Sequence, residues 1–457
     1  GILLIKNKEE LIEKGNKKIR KDCLNIIEYA LESVNPRKKL KNHINITSEE
    51  INIFENIFRK DEIENIYILG AGKASYSMGK EIESKFKDLI NDGVIVTKYG
   101  YKKENLNRIK VIEAGHPIPD KKSIEAGKEL LKLAKKVNRN DLIINLISGG
   151  GSALAVLPSN SINIKEIQKT SELLLSQGAD IEEINTIRKH ISDIKGGNLT
   201  KSINPANSIS LIISDVVGDK LDTIASGLTA PDNTTYNEAY NILNKYQILE
   251  KIPKNIKNHL IKGKKGKIKE TPKEKDFQNF KQKNIIISSN DKATEKAKTK
   301  AKQLGYNTLI LSRMIEGESL EAGKFIAGIT NDIKRTNTPI KKPATLISGG
   351  ETTVTTKNTK GKGGPNQEFI IGAATKINKQ KNITIASIDT DGTDGPTNIA
   401  GGIVDENTTK RIKQKNIDLQ KIIKKHNTKK ALKKIKSTIK TGPTETNVND
   451  LRIAIIE

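Results

Sequence analysis

The sequence has almost no cysteine and no long apolar run, and these two absences limit where the protein can work. Its 457 residues include one cysteine, Cys23, so no disulfide can form within the chain, which fits a reducing cytoplasm. No stretch approaches the roughly 18 apolar residues that a membrane-spanning helix needs. We therefore expect a cytoplasmic protein that has no membrane partner.

Aromatic residues are also scarce, which bears on the strong positive charge. The formal net charge is +26, yet aromatic residues make up 4% of the chain and tryptophan is absent. Few side chains could therefore stack on nucleic-acid bases, and most lysines are scattered along the chain. We expect no specific nucleic-acid partner, although a non-enzymatic polyanion-binding protein stays an alternative.

Short apolar stretches alternate with helical patterns along most of the chain. This alternation predicts an α/β fold of mostly parallel sheets that helices cover on both faces. Because the length exceeds one usual core, we predict a Rossmann-like α/β domain at 1–250 and a second α/β domain at 284–457. Segment 251–283 contains twelve lysines and three acids and is interpreted as a solvated basic linker, with a polyanion-binding patch as the alternative.

The tripeptide Ser-Gly-Gly follows two of the predicted strands. It occurs in LISGGGSAL at 146–154 and again in LISGGETTV at 346–354. Glycines at the end of a parallel strand expose backbone N–H groups at the edge of the sheet, where anions bind. The pattern predicts anion contacts at Ser148, Gly149, Gly150 and Ser152, and at Ser348, Gly349 and Gly350.

A glycine turn with a lysine, GAGKAS at 70–75, connects a predicted strand to a predicted helix. Its glycines would let the backbone approach a ligand, and Lys73 adds a cation at the start of the helix. The dinucleotide fingerprint G-x-G-x-x-G is incomplete, because Ser75 stands at the third glycine position. A structural turn is as compatible with the pattern as a phosphate site. His116, in the loop EAGHPIPD, is interpreted as a hydrogen-bonded loop residue, with catalysis as the less favoured alternative.

The stretch INTIRKHISDIKGGNL at 184–199 carries Arg188, Asp193 and Lys195 and runs into two glycines. At helical spacing, positions 188, 192 and 195 share one face. A solvated charged face is one interpretation. The glycines that follow favour a second one, in which the stretch ends at a loop that faces a cleft.

Carboxylates cluster in SIDTDGTDGPT, where Asp389 and Asp391 stand close together. Clustered carboxylates repel one another unless a cation lies among them, so we predict Mg²⁺ together with a phosphate. A calcium loop is the second choice, because the closing Glu of an EF-hand is missing. Nearby, GKGGPNQEF at 361–369 predicts a glycine hairpin and a helix that begins at Asn366, with Glu368 in the first turn.

Taken in order, nine stretches of the chain resemble blocks of the glycerate 2-kinase family, also called the MOFRL family. They extend from about residue 67 to about residue 455 and are GAGKAS, EAGHPIPD, LISGGGSAL, RKHISDIKGGNL, SDVVGDKLDTIASGLTAPD, LISGGETTV, GKGGPNQE, DTDGTDGPT and TGPTETNVNDL. The resemblance implies two α/β domains with the active site in the cleft between them. It also implies transfer of the γ-phosphoryl group of ATP to the 2-hydroxyl of D-glycerate, with Mg²⁺, to give 2-phosphoglycerate.

The resemblance assigns the catalytic lysine of the family to Lys73. On this basis Arg188 and Lys195 are predicted to bind carboxylate or phosphate oxygens, and Asp193 to orient the hydroxyl or accept its proton. Asp389 and Asp391 would hold Mg²⁺. The Ser348 turn would form a second anion site, with Asn366 and Glu368 as further binding residues. Two positions depart from the family: its catalytic arginine in the second-domain hairpin is replaced here by Pro365, and Glu445 stands where the family more often has glycine.

Two further predictions accompany the resemblance. A hydroxypyruvate reductase-type oxidoreductase is the alternative enzyme, and it would need a nicotinamide site for which the turn at 70–75 lacks the full fingerprint. The sequence leaves a homodimer open.

Overall fold

The computed structural model describes residues 4–356 and 361–457, and within these ranges the chain alternates between helices and strands. The helices are α1 (Lys8–Ile12), α2 (Lys17–Ser33), α3 (Pro36–His43), α4 (Ser75–Phe86), α5 (Lys121–Lys136), α6 (Gly151–Leu154), α7 (Ile164–Ser176), α8 (Ile181–His190), α9 (Asn198–Ile203), α10 (Tyr236–Lys245), α11 (Lys254–Lys264), α12 (Glu274–Phe277), α13 (Asn290–Gln303), α14 (Ser319–Thr336), α15 (Pro365–Ile377), α16 (Thr408–Gln414), α17 (Leu419–Lys425) and α18 (Thr428–Lys434). The strands are β1 (Ile44–Ile46), β2 (Glu50–Ile53), β3 (Asn56–Arg59), β4 (Ile66–Ala71), β5 (Ile90–Lys98), β6 (Lys110–Ala114), β7 (Leu142–Ile147), β8 (Asn207–Ile213), β9 (Gln282–Ser288), β10 (Asn307–Ile315), β11 (Ala344–Gly350), β12 (Ile383–Asp389), β13 (Gly401–Asp405), β14 (Thr438–Ile439) and β15 (Asp450–Ile456).

The chain divides into two compact units. The first unit contains Arg37–Ser214 and Asp219–Ile287. The second contains the described residues up to Pro36, together with Asp215–Gly218 and Ser288–Glu457. Each unit combines a six-stranded sheet with helices, which confirms the predicted α/β class.

The predicted domain boundaries need two corrections. The N-terminal residues belong to the second unit, because the apolar stripe of α2, with Leu24 and Ile27, packs in one hydrophobic cluster with Ile453 and Ile455 of β15. Segment 251–283 is not a linker. It contains α11, α12 and the start of β9, and Ile256 of α11 is fully buried in the first unit. The sequence alone did not indicate the apolar face of α11, because lysines dominate this segment.

The first unit is built on a sheet in the order β6-β5-β4-β7-β8-β9. The pairs β6–β5, β5–β4, β4–β7 and β7–β8 are parallel, as predicted. Every residue of β4 and β7 is buried, as expected for strands that helices cover on both faces. The chain adds β5 and β6 on one side of β4 and then returns to place β7 on the other. This reversal opens a crevice at the carboxyl ends of β4 and β7, which is where α/β sheets bind ligands.

The second unit has a sheet in the order β10-β11-β15-β12-β13-β14. Only the pair β10–β11 is parallel, and the other four pairs are antiparallel within the part of the chain described. The prediction of a mostly parallel sheet is therefore wrong for this unit. The physical reason is the last strand, β15, which inserts between β11 and β12 and runs against both. The predicted cleft between the domains stays a prediction.

No α-helix within the described ranges combines the length and the apolar composition needed to cross a membrane.

Candidate active site

Two glycine turns meet at the crevice between β4 and β7. The N–H of Lys73 donates to the carbonyl oxygen of Gly149 at 2.8 Å, and the N–H of Ala74 donates to the hydroxyl oxygen of Ser148 at 3.1 Å. These turns are the predicted GAGKAS turn and the first Ser-Gly-Gly turn, and they interlock because parallel pairing brings the ends of β4 and β7 together. Ser148 is buried and supports the turns, so its contact with an anion stays a prediction.

Gly150 makes room for two side chains at this crevice. It precedes α6 with φ 87° and ψ −7°, in the left-handed region that favours glycine. A Cβ at this position would lie 3.1 Å from Nε2 of His116 and 3.2 Å from Cγ of Lys73. The residue therefore permits both the backbone turn and the approach of His116 and Lys73.

A cavity of about 530 Å³ opens in the first unit beside the turn. That volume lies within the range of roughly 300–1,000 Å³ that is usual for small-molecule sites. Gly150 lines the cavity, and the polar and charged side chains around it are His116, Ser152, Gln168, Ser171, Glu172, Arg188, Ser192 and Lys195. Four predicted binding residues, namely Gly150, Ser152, Arg188 and Lys195, thus lie around one space.

Lys195 is the most deeply buried charged residue of this cavity. It is 6% exposed, and its Nζ donates to the carbonyl oxygen of Ser152 at 2.5 Å. Among the residues that the structure describes, no carboxylate lies within ion-pair distance of this nitrogen. Burial and then the positive charge of Arg188 lower the pKa of Lys195 to about 7.

Arg188 lies in the last turn of α8, which begins with a capping box between Asp180 and Glu183. Burial lowers the pKa of Arg188, but a guanidinium keeps its charge at neutral pH. Because α8 ends at His190, positions 188, 192 and 195 do not share one helical face as predicted. The turn after α8 nevertheless brings Ser192 and Lys195 to the same cavity.

His116 contributes a neutral imidazole to the cavity. Burial, and then the charges of Lys73 and Lys98, lower the pKa of His116 to about 4. Its Nδ1 is buried and has no hydrogen-bond partner within the described part of the chain. The favoured interpretation of His116 as a hydrogen-bonded loop residue therefore has no support at Nδ1.

Asp193 does not take the predicted position. Its side chain is exposed, accepts a hydrogen bond from the Ser159 hydroxyl at 3.0 Å, and is not part of the cavity lining. The turn after α8 directs Lys195 inward and leaves Asp193 outside. The geometry therefore does not support Asp193 as the group that orients or deprotonates a bound hydroxyl.

A buried charge cluster fixes the end of α8. Nζ of Lys189 lies 3.7 Å from Oδ1 of Asp232, and Nε2 of His190 lies 3.1 Å from Oε2 of Glu270. Burial opposes ionisation of Glu270, but the hydrogen bonds from His190 and from the backbone N–H of Tyr236, together with nearby positive charge, outweigh it and the pKa falls to about 2. Sequence reasoning missed this cluster because Glu270 lies 80 residues beyond His190, in the segment interpreted as a linker.

The second Ser-Gly-Gly differs from the first. Ser348, Gly349 and Gly350 lie inside β11, where Gly349 is opposite Leu451 and Gly350 is opposite Asp450 of β15. A Cβ at Gly349 would collide with the side chain of Asn290. The expected turn is therefore absent at this stretch, because it is paired on both sides within the sheet, and its contact with an anion stays a prediction.

Asn366 and Glu368 serve the fold of the second unit. Helix α15 begins at Pro365, one residue before the predicted start. The Asn366 amide donates to Asp394 at 3.1 Å and to Asp450 at 2.9 Å. Glu368 is buried beside His426 at 2.8 Å, and burial raises its pKa. Both amide hydrogens are thus already used, and a carboxylate offers a phosphate no hydrogen bond when it is ionised, so the geometry does not support phosphate binding by either residue.

Asp389 and Asp391 lie together at the end of β12. Oδ1 of Asp389 accepts from the N–H of Asp391 at 3.1 Å. Burial, and then the negative charges of Asp391 and Asp450, raise the pKa of Asp389 well above its usual range. A cation would relieve this repulsion, and carboxylate oxygens suit Mg²⁺. In the described residues no group of three or more His, Cys, Asp or Glu side chains is placed to hold a metal ion, so the pair fits Mg²⁺ only with ligands from elsewhere.

Comparisons with known proteins cover both units. Residues 22–261 match a family model described as a domain of unknown function (DUF4147), and residues 344–450 match the MOFRL family. A glycerate 2-kinase of Pyrococcus horikoshii is 45% identical over 96% of this chain and 97% of its own. A D-glycerate 2-kinase of Thermotoga maritima is 38% identical over 96% and 98%. The crystal structure of glycerate kinase from Thermotoga maritima superposes with a TM-score of 0.84 at 37% identity, covering 98% of this chain and 100% of that one.

Proposed function

The chain belongs to the glycerate 2-kinase family, and on this basis we propose that it transfers the γ-phosphoryl group of ATP to the 2-hydroxyl of D-glycerate, forming 2-phosphoglycerate. The observation that carries the proposal is the cavity at the carboxyl ends of β4 and β7. It contains Arg188 and Lys195 without carboxylate partners among the described residues. An anionic substrate is the natural counterpart of such a cavity.

Glycerate suits these two basic side chains because its carboxylate and its 2-hydroxyl stand on neighbouring carbon atoms. Arg188 can hold a carboxylate through two parallel hydrogen bonds. The charge of Arg188 acts on Lys195, and both side chains line the same cavity, so we assign Lys195 to the neighbouring hydroxyl end of the same small molecule. Ser152, whose hydroxyl lies 2.7 Å from that of Ser226, adds a polar group to the same wall.

The phosphoryl donor of a kinase is a nucleotide, and we propose that Lys73 and the turn from Ser148 to Ser152 bind its phosphates. Lys73 precedes α4, and the positive end of a helix favours an anion. Phosphoryl transfer depends mainly on positioning and charge neutralisation, which these groups supply. When bound through Asp389 and Asp391, Mg²⁺ would neutralise phosphate charge.

The product of the reaction provides the decisive test. The protein is incubated with ATP, Mg²⁺ and D-glycerate, and enolase is added to consume 2-phosphoglycerate. We expect steady phosphoenolpyruvate formation that depends on both ATP and D-glycerate. Product that enolase does not consume would indicate phosphorylation at another position and would contradict the proposal.

Two further experiments distinguish the kinase from the two remaining alternatives. Hydroxypyruvate with NADH tests the oxidoreductase, and we expect no oxidation of NADH. Binding to single-stranded DNA at rising salt tests the polyanion-binding protein, and we expect weak retention that salt abolishes. Oxidation of NADH would favour the oxidoreductase, and tight binding to DNA would favour the polyanion-binding protein.

The proposed role of Arg188 has its own test. Arg188→Met should raise KM for glycerate by more than tenfold, since it removes a charge-assisted pair of hydrogen bonds. Arg139→Met is the matched control, because Arg139 is an exposed arginine of the same unit outside the cavity. Equal KM values in the two variants would remove Arg188 from the glycerate site.

A further inference from the structure

The cavity lacks an evident proton acceptor for the hydroxyl that attacks the phosphoryl group. Asp193, the residue that the sequence favoured, is exposed and lies outside the lining. Glu172 belongs to the lining, but it is exposed on α7 and forms no ion pair with Lys195 in the structure as described. His116 is too weak a base, because its pKa falls to about 4.

Lys195 differs from these three in position and environment. Its side chain is buried beside α6, where the one described hydrogen bond of its Nζ goes to the backbone oxygen of Ser152. The charged group that bears most directly on it is the guanidinium of Arg188. A buried ammonium that lacks a counter-ion and lies beside another cation is unstable, so the neutral amine is favoured.

We propose that the amine of Lys195 is the general base that accepts the proton of the glycerate 2-hydroxyl during phosphoryl transfer. This inference rests on the proposed function. The lone pair of Nζ takes the hydroxyl proton while the hydroxyl oxygen forms a bond to the γ-phosphorus. The bond between that phosphorus and the bridging oxygen breaks, and its electron pair leaves with ADP. Lys195 becomes an ammonium and returns the proton to solvent before the next turnover.

The strength of the base supports this assignment. A general base works best when its pKa lies near the working pH. The pKa of Lys195 is lowered to about 7, whereas that of His116 is lowered to about 4. Lys189, the other buried lysine nearby, lies 3.7 Å from carboxylate oxygens of Asp222 and Asp232 and does not line the cavity. Among the charged groups near the turn after α8, Lys195 lines the cavity and has a pKa close to the working pH.

The pH dependence of kcat/KM tests the proposal between pH 6 and 9. A base must be neutral, so kcat/KM of the unmodified protein should rise through about pH 7 as Lys195 loses its proton. An ammonium that merely anchors the substrate would give the opposite slope, with kcat/KM falling over the same range. A falling profile would therefore overturn the proposal.

Two substitutions assign the profile to Lys195. Lys195→Arg keeps the charge but cannot accept a proton, and Lys195→Met removes the charge and should pack in the buried position. Both should lower kcat by about 10²-fold or more and abolish the rise near pH 7. Lys169→Met is the control, because Lys169 is exposed on α7 and outside the cavity lining, and it should retain the profile.

The outcomes distinguish the inference from the proposed function. If Lys195→Arg keeps more than a tenth of the normal kcat and the same rise with pH, the assignment of the base is wrong and the kinase remains. If the unmodified protein gives no product from D-glycerate and ATP, the proposed function fails and the inference fails with it. Circular dichroism shows whether each variant is folded, and therefore whether a loss of kcat comes from the chemistry or from unfolding.

Discussion

The backbone N–H of Lys73 donates a hydrogen bond to the carbonyl oxygen of Gly149 at 2.8 Å, which joins the turn after β4 to the turn after β7. The neighbouring bond from Ala74 to Ser148 strengthens the same junction. Both bonds use backbone donors, so the side chain of Lys73 remains available at the rim of the crevice. Loss of that side chain should therefore affect chemistry more than folding.

Lys73→Ala is expected to lower kcat by orders of magnitude with little loss of stability. Lys73 is half-buried and has no ion pair in the described ranges, and its substitution leaves the bond to Gly149 intact. The measurements are kcat in the enolase-coupled reaction and the midpoint of urea denaturation. Near-normal turnover would exclude Lys73 from the mechanism, and a large shift of the midpoint would show that its role is structural.

Gly150→Ala should lower turnover, because the added methyl group would displace the side chains of His116 and Lys73. The left-handed backbone costs an alanine roughly 1–2 kcal/mol, and the added Cβ presses on His116 and Lys73. Gly178→Ala is a close control, since Gly178 has φ 83° and a Cβ there would meet nothing within 4 Å. The two variants should lose similar stability, whereas only Gly150→Ala should lose turnover. Equal activities would show that the contacts at Gly150 do not matter.

Lys195→Met should stabilise the fold near neutral pH while it removes activity. The pKa of Lys195 lies at about 7 in the folded protein and near 10.5 in the unfolded chain. Between these values the unfolded chain binds more protons, so the native residue costs stability that is recovered only as the pH rises towards 10.5. After allowance for the lost hydrogen bond, the gain at pH 7 should be a few kcal/mol.

Urea denaturation at pH 7 and at pH 9.5 measures this gain. The stabilisation by Lys195→Met should shrink at the higher pH, because less of the penalty remains there. Lys169→Met, on the exposed side of α7, should change neither value. A destabilised Lys195→Met at pH 7 would mean that the ammonium is stabilised in the folded protein.

Asn366→Ala should destabilise the protein by about 1.5–3 kcal/mol, since it removes the side-chain amide that donates to two buried carboxylates. Asp394 is fully buried with its pKa raised to about 6, chiefly by burial, and both Asp394 and Asp450 keep other hydrogen-bond donors. The check is the midpoint of urea denaturation, with Asn378→Ala at the exposed end of α15 as the control. Unchanged stability combined with lost turnover would indicate that Asn366 binds a phosphate.

Pro365→Arg should leave kcat equal or raise it if the second unit lacks a cation at this position. Proline occupies the first turn of α15, where its fixed φ is favourable, so the substitution should cost less than about 1 kcal/mol. The enolase-coupled rate measures the effect. A large loss of turnover would show that the site has adapted to proline.

The two Ser-Gly-Gly stretches show which part of the structure could be predicted from the sequence and which part could not. Both follow a similar apolar run, and from local pattern alone they receive the same interpretation. In the first, the strand ends at Ile147 and Gly150 turns into α6. In the second, β15 pairs with the stretch and extends the strand through Gly350. The partner that decides between turn and strand lies about a hundred residues further along the chain, where no local pattern can reveal it.

The sequence by itself determined the α/β class, the parallel sheet of the first unit and the glycine turn that carries Lys73, because hydrophobic period and glycine placement are local properties of the chain. Only the tertiary structure decided which charges enter the cavity. Arg188 and Lys195 lie inside it while Asp193 lies outside, since the turn after α8 sets the direction of each side chain. It also decided the basicity of Lys195, because burial and the nearness of Arg188 arise when distant segments pack together.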